Sequence, residues 1–361
     1  MRPIRLFVTA DPELPVPPSL YGGIERVIAQ LADGMVARGH EVTLFAHPDS
    51  RTRADLVPYP ALRSRSRTDT ARNAALIARE YLGRGPRLIH SFSRLAYLTP
   101  LLTLPVPKVM SYQRLVTRSR AAWALRVSRG TLSFTGCSQH LIRPVSDLGS
   151  WRVVYNSVPV HRYRFTPEVP ADAPLVFLGR IERIKGAHLA IDVARRTGRR
   201  LVLAGNVAPE HRAYFDAEIA PHLDGRAISY AGPVDDEAKS ALLSEASALL
   251  MPVLWDEPFG IVMAEALACG TPVIGLARGA VPEVVEEGRT GFVCETVDEM
   301  AERVGRIGAI RRCECRQAAE VRFSSTALVD ACERLYADRL ARPDRRGTVA
   351  AAAGPRRRRT D

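Results

Sequence analysis

The sequence predicts an α/β protein of two doubly wound parallel-sheet domains that face each other across a cleft. Three observations lead there. Short apolar runs alternate with stretches of helical apolar spacing along most of the chain, the pattern of βαβ units. The alternation is interrupted between Asn156 and Pro174 by an irregular segment with prolines at 159, 167, 170 and 174, which reads as an interdomain linker. The length of 361 residues is enough for two ordinary domains, each with its own core.

The first series opens with a strand over 4–10. A Pro-rich loop follows over 11–22, with prolines at 12, 15, 17 and 18. From Ile24 to Arg38 the spacing is helical, with Val27, Ile28, Leu31 and Met35 on one side. Gly39 ends that helix and the next strand runs from His40 to Ala46. Weaker strand signals follow at 88–90, 108–112, 132–137 and 153–155, with helices near 71–83, 94–103, 119–129 and 140–148. The second series has strands at 175–179, 201–205, 227–231, 248–252, 272–276 and 292–294. Its helices are expected near 187–197, 209–222, 235–246, 259–269, 281–287 and 297–308, and a last helix spans 324–340. The domains are therefore placed at 1–160 and 161–322. A disordered basic tail is expected over 341–361, rich in Ala, Gly, Pro and Arg.

Hydrophobic content of 46% and charged content of 25% fit a soluble globular protein. No apolar run reaches 18 residues, which excludes a transmembrane helix. The N-terminus runs straight into a strand and lacks the apolar core of a signal peptide, which points to the cytoplasm. Six cysteines carry no CxxC or His pairing, and they read as reduced thiols rather than metal ligands. The net charge of +12 is uneven: between Arg51 and Gly130 sixteen Lys and Arg stand against three Asp and Glu. Such a face suits an anionic membrane surface or a phosphorylated acceptor, or it is simply a solvated basic surface. No nucleic-acid partner is expected.

Two stretches carry chemistry. In Glu257-Pro-Phe-Gly-Ile-Val-Met-Ala-Glu265, the run from Ile261 to Leu267 reads as a buried helix closed by Gly270. Glu257 then lies just outside the helix start and Glu265 two turns in, roughly 12 Å apart along the axis. That separation does not suit an acid/base pair on one bond. It suits two hydroxyl-bearing parts of one long ligand. The amides of Phe259, Gly260 and Ile261 point out between them at the positive end of the helix dipole. A nucleotide sugar has this layout. The plainer alternative is a buried helix with one N-terminal acid and one satisfied interior Glu. In the second stretch the strand Leu175-Val-Phe-Leu-Gly179 runs into Arg180-Ile-Glu-Arg-Ile-Lys185-Gly186. Arg180 and Lys185 thus sit on a loop at the carboxyl end of a strand, where open α/β sheets bind ligands. A forked guanidinium and a compact ammonium both suit phosphate oxygens. A solvated basic loop is the bland alternative.

Together these stretches resemble the retaining glycosyltransferases of family four, with the GT-B arrangement of two Rossmann-like domains. The likeness covers roughly residues 4 to 340. It rests on Gly179-Arg180, Lys185-Gly186 and Glu257 through Glu265, with Tyr21-Gly-Gly-Ile-Glu25 similar to the family's first Gly-rich loop. Leu201-Val-Leu-Ala-Gly205, Tyr230-Ala-Gly-Pro233, Gly270-Thr-Pro-Val273, Val281-Pro-Glu283 and Thr290-Gly-Phe292 agree with it. The resemblance implies that Glu257 holds hydroxyls of the transferred sugar and Glu265 the ribose. It also implies that the last helix crosses back onto the first domain.

Arg180 and Lys185 would stabilise the diphosphate as it leaves. No DxD-like motif is placed in this constellation, and two cations can stand in for a magnesium ion, so metal-independent transfer without a cofactor is expected. Gly22 and Gly23 would let the N-terminal loop approach the diphosphate without Cβ clashes, and Glu25 opens the following helix.

There are two departures. Where many members carry a His after the strand at 108–112, this chain has Gln113, which can hydrogen-bond but cannot titrate near neutral pH. His90 is one possible substitute; the plainer alternative is a structural histidine. At the hinge, Asn156-Ser157 stands in place of Asn-Gly. The reading is a hexosyltransferase using a UDP- or GDP-type sugar, with an unidentified acceptor. The alternatives are a catalytically weak nucleotide-sugar-binding protein and a sugar-nucleotide isomerase or phosphorylase.

Overall fold

The computed structural model describes residues 2–18 and 22–341. Tyr21 of the first Gly-rich loop and the basic tail from 342 lie outside the described residues.

The N-terminal domain contains β1 (Arg5–Thr9), α1 (Gly23–Ala37), β2 (Glu41–Ala46), β3 (Asp55–Pro58), α2 (Arg67–Arg84), β4 (Leu88–Ser91), β5 (Lys108–Tyr112), α3 (Arg118–Ser128), β6 (Leu132–Gly136), α4 (Gln139–Ile142) and β7 (Trp151–Val153). Its seven strands are ordered β3-β2-β1-β4-β5-β6-β7, and every pairing is parallel. The C-terminal domain contains β8 (Leu175–Leu178), α5 (Ala187–Thr197), β9 (Leu201–Ala204), α6 (Arg212–Glu218), β10 (Ile228–Tyr230), α7 (Asp236–Glu245), β11 (Ala248–Met251), α8 (Ile261–Ala268), β12 (Val273–Leu276), α9 (Val281–Val284), β13 (Gly291–Cys294), α10 (Val297–Val304) and α11 (Arg312–Arg322). Its six parallel strands run β10-β9-β8-β11-β12-β13. The chain then returns in α12 (Ser325–Ala341). Strands β8, β11 and β12 are buried at every position, as expected when helices cover both faces of a parallel sheet. In each sheet the strand order reverses between two neighbours, β1 and β4 in one and β8 and β11 in the other. Ligands of doubly wound sheets bind beyond the carboxyl ends of such strands.

Helix α12 belongs to the N-terminal core. Leu328, Val329, Cys332, Leu335 and Tyr336 are buried among residues of β1, α1 and β2. Arg38 is ion-paired with Asp330 and Glu333, and His40 Nε2 lies 3.0 Å from Glu333.

Two elements differ from the sequence reading by being additional. Strand β3 has four residues at the sheet edge and ends in Pro58, too short for a clear alternation. Helix α11 was not expected because its inward positions are Arg312, Cys315, Ala318 and Ala319. The spacing is helical, but an Arg and small residues do not make an apolar stripe. Two other elements are reshaped. The helix expected near 94–103 is a 3-10 stretch over Leu95–Leu101, and that at 140–148 is α4 followed by a 3-10 turn over Arg143–Val145.

The hinge departure is resolved by its backbone. Arg129 is the only non-glycine with positive φ among the described residues, so Ser157 does not need the freedom of Gly. Its hydroxyl instead donates to Gln30 on α1 at 3.1 Å, and Gln30 also accepts from Ser325 Oγ at 2.6 Å. One side chain thus ties the hinge and α12 to α1.

Candidate functional site at the interdomain cleft

Both charged loops sit at the strand-order reversal of the C-terminal sheet. After β8 the chain bends through Gly179 and Arg180, and a 3-10 turn over Arg183–Lys185 presents Lys185. Gly186 closes that turn with φ +78, and a Cβ there would lie 2.0 Å from the carbonyl oxygen of Pro252. The Lys185 loop is thereby pressed onto the segment that leads from β11 to Glu257. Gly205 has the same role one strand away: a Cβ on it would lie 1.7 Å from the Gly179 carbonyl oxygen.

Lys185 Nζ is 2.6 Å from Glu257 Oε2, which also accepts from Trp255 Nε1 at 3.0 Å. The ammonium lies 4.7 Å from the centre of the Trp255 ring, a cation–π contact that fixes it further. Glu257 is 8% exposed, and its second oxygen has no hydrogen-bond partner among the described residues. Arg180 is more open, 38% exposed, with Nη2 2.8 Å from Glu182. Glu182 in turn lies 3.2 Å from His211 Nε2.

Helix α8 begins at Ile261, so Glu265 is little more than one turn in rather than two. Gly260 caps the helix start in the left-handed region at φ +74. The Phe259 ring is buried against Tyr155 and Phe323, with ring centres 6.0 and 5.6 Å away. It therefore offers the cleft its backbone amide and not its side chain. Glu265 Oε1 accepts from Tyr163 Oη at 2.8 Å and from Lys239 Nζ at 2.6 Å. Lys239 also lies 3.1 Å from Asp236 Oδ1. Burial opposes the Lys239 charge, yet Glu265 and Asp236 hold its ammonium above the ordinary value. Burial and the same Glu265 push the Tyr163 hydroxyl far up.

The N-terminal domain closes over this surface. Gly23 lies so near α8 that a Cβ on it would be 2.7 Å from Ile261 Cδ1. Arg26 of α1 is ion-paired with Asp236 across the cleft. On the far side Glu283 of α9 accepts from the amides of Gln139 at 2.7 Å and His140 at 2.6 Å, capping α4 from the other domain. Gly22, with φ +143, would place a Cβ 2.9 Å from Glu25 Oε2. Glu25 is thus folded back over the loop, where burial raises its carboxyl, as it does that of Asp11 nearby. Gln113, the residue after β5, is half-buried, with no hydrogen bond of its own among the described residues.

His90 is a correction. It does not reach the cleft. It is 1% exposed, with Nδ1 2.6 Å from Tyr336 Oη and Nε2 2.6 Å from Ser111 Oγ. Helix α12 covers it, which its position in the sequence did not reveal. Burial pulls the imidazole from 6.5 down to about 3. Below pH 6.5 the unfolded chain takes up a proton that the folded chain refuses, so stability falls with acidification. We expect a loss of about 2 kcal/mol between pH 6.5 and 5 from this group. His90→Gln, which keeps partners for both Tyr336 and Ser111, should flatten the slope of urea-measured stability against pH by that amount. An unchanged slope would refute the assignment.

Trp255, Tyr163, Lys239, Asp236 and Arg26 were not singled out from the sequence. Only Trp255, two residues before Glu257, carried a local signal.

Two doubly wound domains with facing reversal points and charged loops define a GT-B type cleft protein. The comparisons agree: residues 21–162 match the family model described as Glycosyltransferase Family 4 and residues 164–319 the model described as Glycosyl transferases group 1. The chain belongs to this glycosyltransferase family. It is 31% identical over 189 residues to a glycogen synthase of Mycobacterium tuberculosis, covering 49% of this chain and 44% of that one. It is 26% identical over 331 residues to a phosphatidyl-myo-inositol mannosyltransferase of Mycobacterium leprae, covering 78% and 81%. Among solved structures it resembles AviGT4, a glycosyltransferase involved in avilamycin A biosynthesis, with a TM-score of 0.71, 26% identity and coverage of 94% and 98%. The segments matched in the first curated relatives span less than half of their own length. Among the described residues no helix is long and apolar enough to cross a membrane.

Proposed function

We propose that this protein transfers a hexose from a nucleoside-diphosphate sugar to an acceptor hydroxyl, with retention of configuration and without a metal ion. The observation that carries this reading is the Lys185–Glu257 pair, held by Trp255 just before the start of α8, where Gly23 of the N-terminal domain meets Ile261.

Breaking the bond between sugar and diphosphate leaves an anion, and stabilising that charge is the main task. Lys185 is half-buried, paired and stacked, so little reorganisation is needed when charge develops beside it. Arg180, paired with Glu182 and 38% exposed, adds a forked donor to the same loop. Glu257 has one oxygen committed to Lys185 and Trp255 and one to offer to sugar hydroxyls. Glu265, held by Tyr163 and Lys239, likewise keeps an oxygen for the ribose. The half-buried Gln113 suits a hydrogen bond to the sugar in place of a titrating histidine. In this reading the leaving phosphate itself takes the acceptor proton. Release of free nucleoside diphosphate only in the presence of an acceptor would separate transfer from isomerisation.

The test is a thermal-shift screen against UDP, GDP, ADP, dTDP and their common sugars, with and without EDTA. A ligand at 100 times its Kd that binds only the folded state adds ~2.7 kcal/mol. We expect stabilisation by one nucleotide, unaffected by EDTA and lost in Arg180→Ala. No stabilisation by any of them would sink the donor-site reading, and loss with EDTA would sink the metal-free part.

A further inference from the structure

We propose that a groove behind the cleft binds a small organic phosphate at a site separate from the Arg180–Lys185 loop. The groove has a volume of about 460 Å³, within the range of small-molecule sites. It follows one face of α1 from Arg26 to Ala37, a rise of roughly 16 Å. The hinge segment from Ser157 to Tyr163 and Ser325 at the start of α12 close it. Neither Arg180 nor Lys185 lines it. It meets the cleft at one end, where Arg26, Tyr163, Asp236, Ile261 and Glu265 belong to both.

Its charge is lopsided in a specific way. The acids that line it are already engaged. Asp33 Oδ1 accepts from Thr52 Oγ1 at 2.9 Å and from the Arg53 amide at 2.8 Å. Asp236 is paired with Arg26 and Lys239, and Glu265 with Lys239 and Tyr163. Arg51, Arg53 and Arg162 also line it; all three are exposed and have no acidic partner among the described residues. Two come from the loop after β2 and one from the hinge, so segments 109 or more residues apart in the chain bring like charges to one hollow. Three basic side chains without acidic partners at one hollow attract an anion, and a forked donor set matches phosphate. Ala29, Val158 and Pro159 give it an apolar lining, which suits the body of an organic ester better than a bare ion. Because the occupant would touch the N-terminal domain and the hinge together, it would favour one interdomain arrangement over another.

Ribose 5-phosphate, inorganic phosphate and ribose serve as probes, titrated calorimetrically into the full chain. We expect ribose 5-phosphate to bind, phosphate to bind more weakly and ribose not at all. Arg51→Ala with Arg162→Ala should weaken ribose 5-phosphate at least about tenfold, and the Lys replacements, which keep charge but lose the fork, should give an intermediate loss. Arg180→Ala with Lys185→Ala should leave that affinity nearly unchanged. Absence of binding at 10 mM, insensitivity to the Arg51 and Arg162 changes, or loss on changing Arg180 and Lys185 would each overturn the inference. Phosphate binding as tightly as the ester would overturn its organic part. Failure of the nucleotide screen would leave these outcomes readable on their own.

Discussion

Lys185→Ala is expected to lower turnover by on the order of 10²-fold or more, while the protein stays folded. The size follows from where the ammonium sits. It is 16% exposed, 2.6 Å from Glu257 and stacked over Trp255, so its loss removes a preorganised charge and leaves Glu257 with Trp255 alone. Lys185→Arg should recover little, because a planar fork cannot occupy the place of a compact ammonium above the indole. Steady-state release of nucleoside diphosphate, with circular dichroism as the folding control, decides it. Turnover within threefold of the parent in a folded Lys185→Ala protein would remove Lys185 from the mechanism.

The largest expected effect on stability lies outside the cleft. Arg312 is 8% exposed and has no carboxylate partner among the described residues. Its guanidinium donates to the carbonyl oxygens of Thr166 at 2.6 Å, Ala246 at 2.8 Å and Ser244 at 2.8 Å, and to Thr271 Oγ1 at 2.9 Å. These acceptors include the carboxyl end of α7, where the helix dipole favours a cation. Arg312→Met keeps the length of the side chain but leaves buried carbonyls without donors. We expect a loss on the order of 3–5 kcal/mol, read as a lower urea midpoint at unchanged slope. A loss below about 1 kcal/mol would show that water or backbone shifts satisfy those oxygens.

Much of this architecture was legible in the sequence because its signals are local. Leu175–Leu178 and Ala248–Met251 are apolar runs bounded by Gly or Pro, and parallel strands covered on both faces read that way. Gly186 and Gly260 mark left-handed turns beside the charged loops. What was missed depends on distant partners. Lys239 reaches Glu265 from 26 residues away and Tyr163 from 102, and nothing local to either announces it. His90 looked like a cleft residue because β4 ends at the cleft side. Only the return of Tyr336, 246 residues later, buries it. Helix α11 was hidden because Arg312 occupies the position where an apolar residue is expected.

That same return of the chain has a temporal consequence. Leu328 through Tyr336 fill the space above α1 and β1, so the first domain to leave the ribosome is the last to complete its core. Until α12 emerges, Val27, Leu31 and Met35 lack their partners, and the whole C-terminal domain is synthesised in the interval. At 5–20 residues per second the gap from β7 to α12 lasts roughly ten to thirty seconds. During that time the N-terminal sheet is an incomplete folding unit, exposed to chaperone binding. The N-terminal domain therefore completes its core only after the C-terminal domain has been synthesised, the reverse of folding from the N-terminus onward.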